Sequence, residues 1–142
     1  MAVRLATLAD LAYVIERATS IGQRYSEERV RELVTDARYI TTVDRPTGLF
    51  WAELVTPTLV LAGISVAADD VQIKALYKAA LVEAGTRWPQ ATTLEARLRV
   101  DWCKPQVVPW VTAIAKMPLV STEADGTRVY RMAWRDLLKA LR

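Results

Sequence analysis

The chain has 142 residues, of which 52% are hydrophobic and 25% charged, and its formal net charge is +3. That balance fits one globular domain able to bury a core without staples, and it excludes a disordered or collagen-like chain. There is no histidine and a single cysteine, Cys103. An intramolecular disulfide is therefore excluded, and metal sites or Ser/His and Cys/His catalytic pairs lack their commonest ligand and base.

The chain opens with a short strand pattern, "AVRLAT", after which Thr7 and Asp10 form a capping-box-like pair. Leu8, Leu11, Ala12, Ile15 and Ala18 then repeat on one helical face until Gly22. Ser26 caps a second helix with Val30, Leu33, Val34 and Ala37 as its apolar stripe. Three strands follow as a meander, "RYITTV", "LFWAELV" and "TLVLAGISV", separated by turn residues. Asp69 caps the helix "DVQIKALYKAALVEAG", which Gly85 is expected to close.

"TTLEARLRV" alternates as a strand, with Leu94, Ala96, Leu98 and Val100 on one face and Thr93, Glu95, Arg97 and Arg99 on the solvated one. Strand, crossover helix and strand in this order predict a parallel pair. "KPQVVPWVTAIAKM" reads as a helix with Pro105 or Pro109 near its start. "LVSTEADGTRVYRMAW" reads as a hairpin whose Asp125-Gly126 supplies positive backbone angles. The last residues form a short helix with Leu137, Leu138 and Leu141 to bury. The expectation is a single α+β domain over residues 1–142, with a mixed sheet of about seven strands in the order β-α-α-β-β-β-α-β-α-β-β.

This order, the opening "VRLATLADLAYV" and the ending "AIAKMPLVSTEADGTRVYRM" resemble the GNAT superfamily of N-acetyltransferases. The resemblance implies an acyl-CoA whose pyrophosphate rests on backbone amides where the fourth strand enters its helix. The superfamily's motif there is Gln/Arg-x-x-Gly-x-Gly/Ala. Laid on Gln72-Ile73-Lys74-Ala75-Leu76-Tyr77 it keeps the glutamine and loses both glycines, so Leu76 and Tyr77 are expected to add side chains to that surface. Asp69 and Asp70 would stand where phosphates bind, and each repels a phosphate charge by about 1 kcal/mol at close range even in water.

The resemblance also implies a glutamate base on a central strand and a tyrosine acid late in the fourth helix. Glu53 and Ser65 are the catalytic candidates left, while the tyrosine position becomes Ile114 and Pro118 replaces a glycine. For acetyl-CoA the candidate ligands are Val66, Gln72, Lys74, Ala75 and Lys78.

Two functions follow. The first is a non-catalytic protein with an eroded acyl-CoA site and no cofactor, acting in structure or assembly through protein partners or self-association. Small proteins of this pattern occur among tailed-phage virion and assembly proteins, and this chain is similar to them. Its candidate interface residues are Glu95, Arg97, Arg99, Trp134, Leu137, Leu138 and Leu141, with Trp102 and Trp110 as further anchors if exposed. The second is an acyl-CoA-dependent N-acetyltransferase with an atypical phosphate loop. The C-terminal arginines, Arg128 to Arg142, raise a nucleic-acid partner, which the small net charge disfavours. No apolar run reaches the length of a membrane span and no signal-peptide pattern opens the chain, so a cytoplasmic setting, or a virion assembled there, is expected.

Overall fold

The computed structural model describes residues 2–99 and 116–141. In chain order these form β1 (Arg4–Leu5), a 3-10 turn (Leu8–Asp10), α1 (Leu11–Ser20), α2 (Glu27–Thr35), β2 (Tyr39–Asp44), β3 (Gly48–Leu54) and β4 (Leu59–Val66). Then come α3 (Asp70–Arg87), β5 (Thr93–Leu98), β6 (Leu119–Thr122), β7 (Arg128–Ala133) and the short α4 (Trp134–Ala140). The seven strands lie in one mixed sheet, ordered β1-β2-β3-β4-β5-β7-β6. β4 and β5 run parallel, as the intervening α3 crossover requires, and the other described neighbours are antiparallel. No described helix is long and apolar enough to cross a membrane. The predicted helix of residues 104–117 falls almost wholly outside the described residues, as do Cys103, Trp102, Trp110 and Ile114.

Alternation along the strands sends residues to two cores. Ile40, Phe50, Ala52 and Val60 meet Leu76, Tyr77, Ala80 and Leu81 of α3 and Leu137 of α4. On the other face Val43 and Leu49 pack with Tyr13, Val14 and Val30, while Leu33, Tyr39 and Trp51 form an adjoining group. Even the polar pair in the wholly buried β2 is answered on both sides: the Thr41 hydroxyl donates to the Leu33 carbonyl of α2, and that of Thr42 to the Leu76 carbonyl of α3.

The three predicted caps form: Thr7 and Asp10 make a reciprocal box, Ser26 accepts from the Arg29 amide, and Asp69 accepts from the Gln72 amide. Other expectations need correction. The buried stripe of α1 is Tyr13, Val14 and Ala18, while Leu8 and Ala12 are exposed. Leu8 belongs to a 3-10 turn of three residues per turn and so falls out of phase with the α-helix that follows. Gly85 does not end α3. The helix continues to Arg87, whose guanidinium donates to the Tyr39 carbonyl, and the Trp88 indole donates to that of Ala37. In the β6–β7 loop only Gly126 has a positive φ, of 89°. Asp125 contributes through its side chain, which accepts from the Thr127 amide at 2.9 Å.

Candidate functional site

Two features of β4 define the place where a ligand could enter. Its pairing with β5 begins at Leu59 and Thr93 and stops at Ala62 and Ala96, so Gly63–Val66 and the end of β5 diverge. At the same level the register with β3 slips between Phe50 and Ala52, and Trp51 faces two residues, Gly63 and Ile64. The Trp51 indole lies flat on Gly63, where a Cβ would sit 2.3 Å from its ring carbons. Only glycine permits that approach. The Trp51 indole N–H is held by the Tyr25 hydroxyl at 3.2 Å.

Beyond Val66 the chain turns into α3, and this joint answers its own polar groups. Gln72 is buried: its Oε1 accepts from the Ala68 amide at 2.7 Å and from the Thr47 hydroxyl at 2.9 Å, while its Nε2 donates to Asp44 Oδ2 at 3.0 Å. Asp69 Oδ1 accepts from the Gln72 amide at 2.8 Å, and the Asp69 carbonyl accepts from the Ile73 amide. The amides of Ala68 and Gln72 are thus taken by side chains of the joint itself, and the Asp69 carboxylate already sits at the helix end that would attract a phosphate.

This geometry changes the reading of the candidate cofactor residues. Gln72 is a structural clamp between α3 and the β2–β3 turn. Leu76 and Tyr77 are core residues, so they add nothing to the ligand-facing surface. Positions 75 and 77, where that motif carries its glycines, are in the second turn of α3, where amides are spent on the helix itself. Val66 packs toward α1. Lys74 and Ala75 are half-buried one turn in, and exposed Lys78 lies about 12 Å along the axis from the first residue of α3. Asp70, the first residue of α3, is exposed.

The catalytic candidates do not converge. Ser65 lies on the α3 face, hydrogen-bonded to the Tyr77 hydroxyl. Burial, only partly offset by Ser65, pushes the Tyr77 phenol well above its usual value, and its ring stacks on Phe50 with centroids 3.9 Å apart. Glu53 is half-buried on the opposite face, further along β3 than Phe50, the register partner of Ser65. Strand alternation separates the two.

Glu53 belongs instead to a transverse row on the α1/α2 side: Tyr39, Glu53, Leu61, Glu95 and Arg131 are successive register partners across β2, β3, β4, β5 and β7. Glu95, expected on a solvated face, is buried. Its carboxylate accepts from Arg131 Nε at 2.7 Å and from Arg97 Nε at 2.8 Å, and Arg97 also reaches Glu123. Burial pushes the Glu95 carboxyl up, but the bonds from Arg97 and Arg131 outweigh it and hold the group below the usual range. Glu95 is thus the centre of an ion-paired group with Arg97, Arg131 and, through Arg97, Glu123. Of the C-terminal candidates, Leu137 and Leu141 are core, Trp134 is half-buried against it, and Leu138 is exposed.

No protein-family model matches the sequence, and no curated protein matches it. Solved structures do. An acetyltransferase from Thermus thermophilus aligns at 17% identity and a TM-score of 0.61, over 94% of this chain and 97% of that one. The spermidine N-acetyltransferase from Vibrio cholerae (an N152L mutant) aligns at 13% identity and a TM-score of 0.71, over 99% and 98%. The ribosomal-protein-S18-alanine N-acetyltransferase from Escherichia coli aligns at 12% and 0.65, over 93% and 92%. The chain therefore has the GNAT fold along nearly its full length.

Proposed function

We propose that this GNAT-fold chain works through contacts with other proteins, in structure or assembly, and not through acyl-CoA chemistry. The observation that carries this reading is the self-answered β4–α3 joint. A pyrophosphate there would have to displace the Asp69 cap, compete with Gln72 for the Ala68 amide and approach two carboxylates. Protein contacts are supported by Leu119 and Val120 of the edge strand β6 and by Val71 and Val82 of α3, all at least half exposed.

A second reading, an acyl-CoA-dependent N-acetyltransferase, is favoured by the divergence of β4 from β5 after Ala62 and Ala96, which leaves a slot between parallel strands. Thermal unfolding with and without sub-millimolar acetyl-CoA separates the two. A ligand at 100 times its Kd adds about 2.7 kcal/mol of stability. The expected result is no shift, with self-association or partner capture measurable by light scattering. A clear shift with acetyl-CoA overturns the assembly reading in favour of the enzyme.

A further inference from the structure

The two edges of the sheet are built differently. β1 is two residues long and carries Arg4, a short and charged edge of the kind that discourages further pairing. β6, at the opposite edge, is the uncharged run Leu119-Val120-Ser121-Thr122, exposed at every residue and paired among the described residues only with β7. A strand edge left exposed, without charge or proline, is a template for another strand.

The backbone shows which groups that edge offers. The Pro118 carbonyl accepts from the Arg131 amide at 3.2 Å and the Glu123 amide donates to the Thr127 carbonyl at 2.8 Å, so both ends of β6 are fastened to β7. Successive residues of a strand turn their amide and carbonyl to opposite sides. Leu119 and Thr122, next in from those ends, therefore direct theirs to the free edge. Between them the pairing slips, and Val120 and Ser121 share the place opposite Val129. The free edge thus presents a donor and an acceptor at Leu119 and again at Thr122.

We propose that the strand completing this edge is β6 of a second copy, run antiparallel about a two-fold axis, so that one sheet continues through both chains. In that arrangement Leu119 of each copy lies opposite Thr122 of the other, and these outward-facing residues exchange hydrogen bonds on both sides of the axis. The two bulges fall opposite each other, so neither strand is out of step. Exposed Lys116 precedes β6, and exposed Glu123 and Asp125 follow it. Reversing one copy lays the lysine at the start of each strand alongside the acids at the end of the other, whereas a parallel copy would set like charge against like. The half-exposed Val120 of each copy then lies next to the axis and covers its counterpart. The proposal deepens the assembly reading and rests on it, naming the partner as the chain itself.

Sedimentation of the whole chain from about 5 to about 300 μM is expected to show a rise to twice the mass of one chain. Hydrogen exchange of the Leu119 and Thr122 amides is expected to slow in step with that rise. Val120→Lys places two ammonium groups beside the axis, and it is expected to weaken the dimer at least about tenfold while leaving the Tm of the monomer unchanged. Val82→Lys, on the exposed side of α3, is the control and is expected to leave the dimer intact. A dimer that Val82→Lys dissociates and Val120→Lys does not, or one that leaves both β6 amides exchanging as in the monomer, overturns the β6 assignment while the assembly reading stands. The amide measurement uses the parent chain, so it decides even where Val120→Lys fails to fold. A chain that stays monomeric across the range also overturns the assignment, and the acetyl-CoA measurement then decides the assembly reading on its own.

Discussion

The start and the middle of α1 treat buried charge in opposite ways. At its start the fully buried Asp10 carboxylate accepts five hydrogen bonds: two each from the Arg4 and Arg45 guanidiniums and one from the Thr7 amide, between 2.7 and 3.2 Å. Two turns later Arg17 has a sealed Nε and no acceptor among the described residues. The chain can therefore supply counter-ions from distant segments when a charge is there to hold the fold, since Arg45 is 35 positions from Asp10.

That contrast can be broken most directly at Asp10. Asp10→Asn keeps the shape but removes the charge that both arginines share, and urea unfolding is expected to show a loss of about 3 kcal/mol. A loss below about 0.5 kcal/mol would put Asp10 on the footing of an ordinary surface residue and dissolve the comparison. The acid limb of stability sharpens it. The Arg4 hydrogen bonds, followed by those of Thr7 and Arg45, hold the Asp10 carboxyl far below the usual carboxylate range despite its burial. With the folded value below the unfolded one, the contribution is complete above about pH 4 and fades as pH falls toward the folded value. Stability measured from about pH 5 down to about pH 2 should drop more steeply in the parent than in Asp10→Asn. The smallest effect is expected at Thr7→Ala, which removes one half of the capping box and leaves the arginines in place. About 1 kcal/mol is the usual cost of such a cap, read from the same urea midpoint.

The order of the described elements, the β4–β5 crossover and all three caps were legible in the sequence, because periodicity and capping are local. The failures were of two physical kinds. Some arose because a local signal was overridden: Gly85 is a plausible helix stop, but Arg87 and Trp88 bind β2 and its preceding loop and carry α3 past it. Others arose because partners come together only in space. Glu95 alternates with apolar neighbours as a solvent-facing residue would, yet Arg131 from β7 makes its burial tolerable. Asp10 read as a cap and nothing more, since nothing local points to Arg45. At the candidate site Asp69 was legible as the cap of α3. The role of Gln72 was not, because a glutamine that matches a motif and one that clamps a turn have the same letter.

The contact between Trp51 and Gly63 also constrains how this sequence can change. Neither position is free while the other stays as it is: a side chain at 63 needs a small residue at 51, and a small residue at 51 leaves a void over the bulge and a Tyr25 hydroxyl without its indole partner. The route between the two arrangements passes through a destabilised intermediate whichever residue moves first. The bulge beside the divergent strands is thereby held in place by mutual obligation between two residues, and its persistence requires no ligand in the slot.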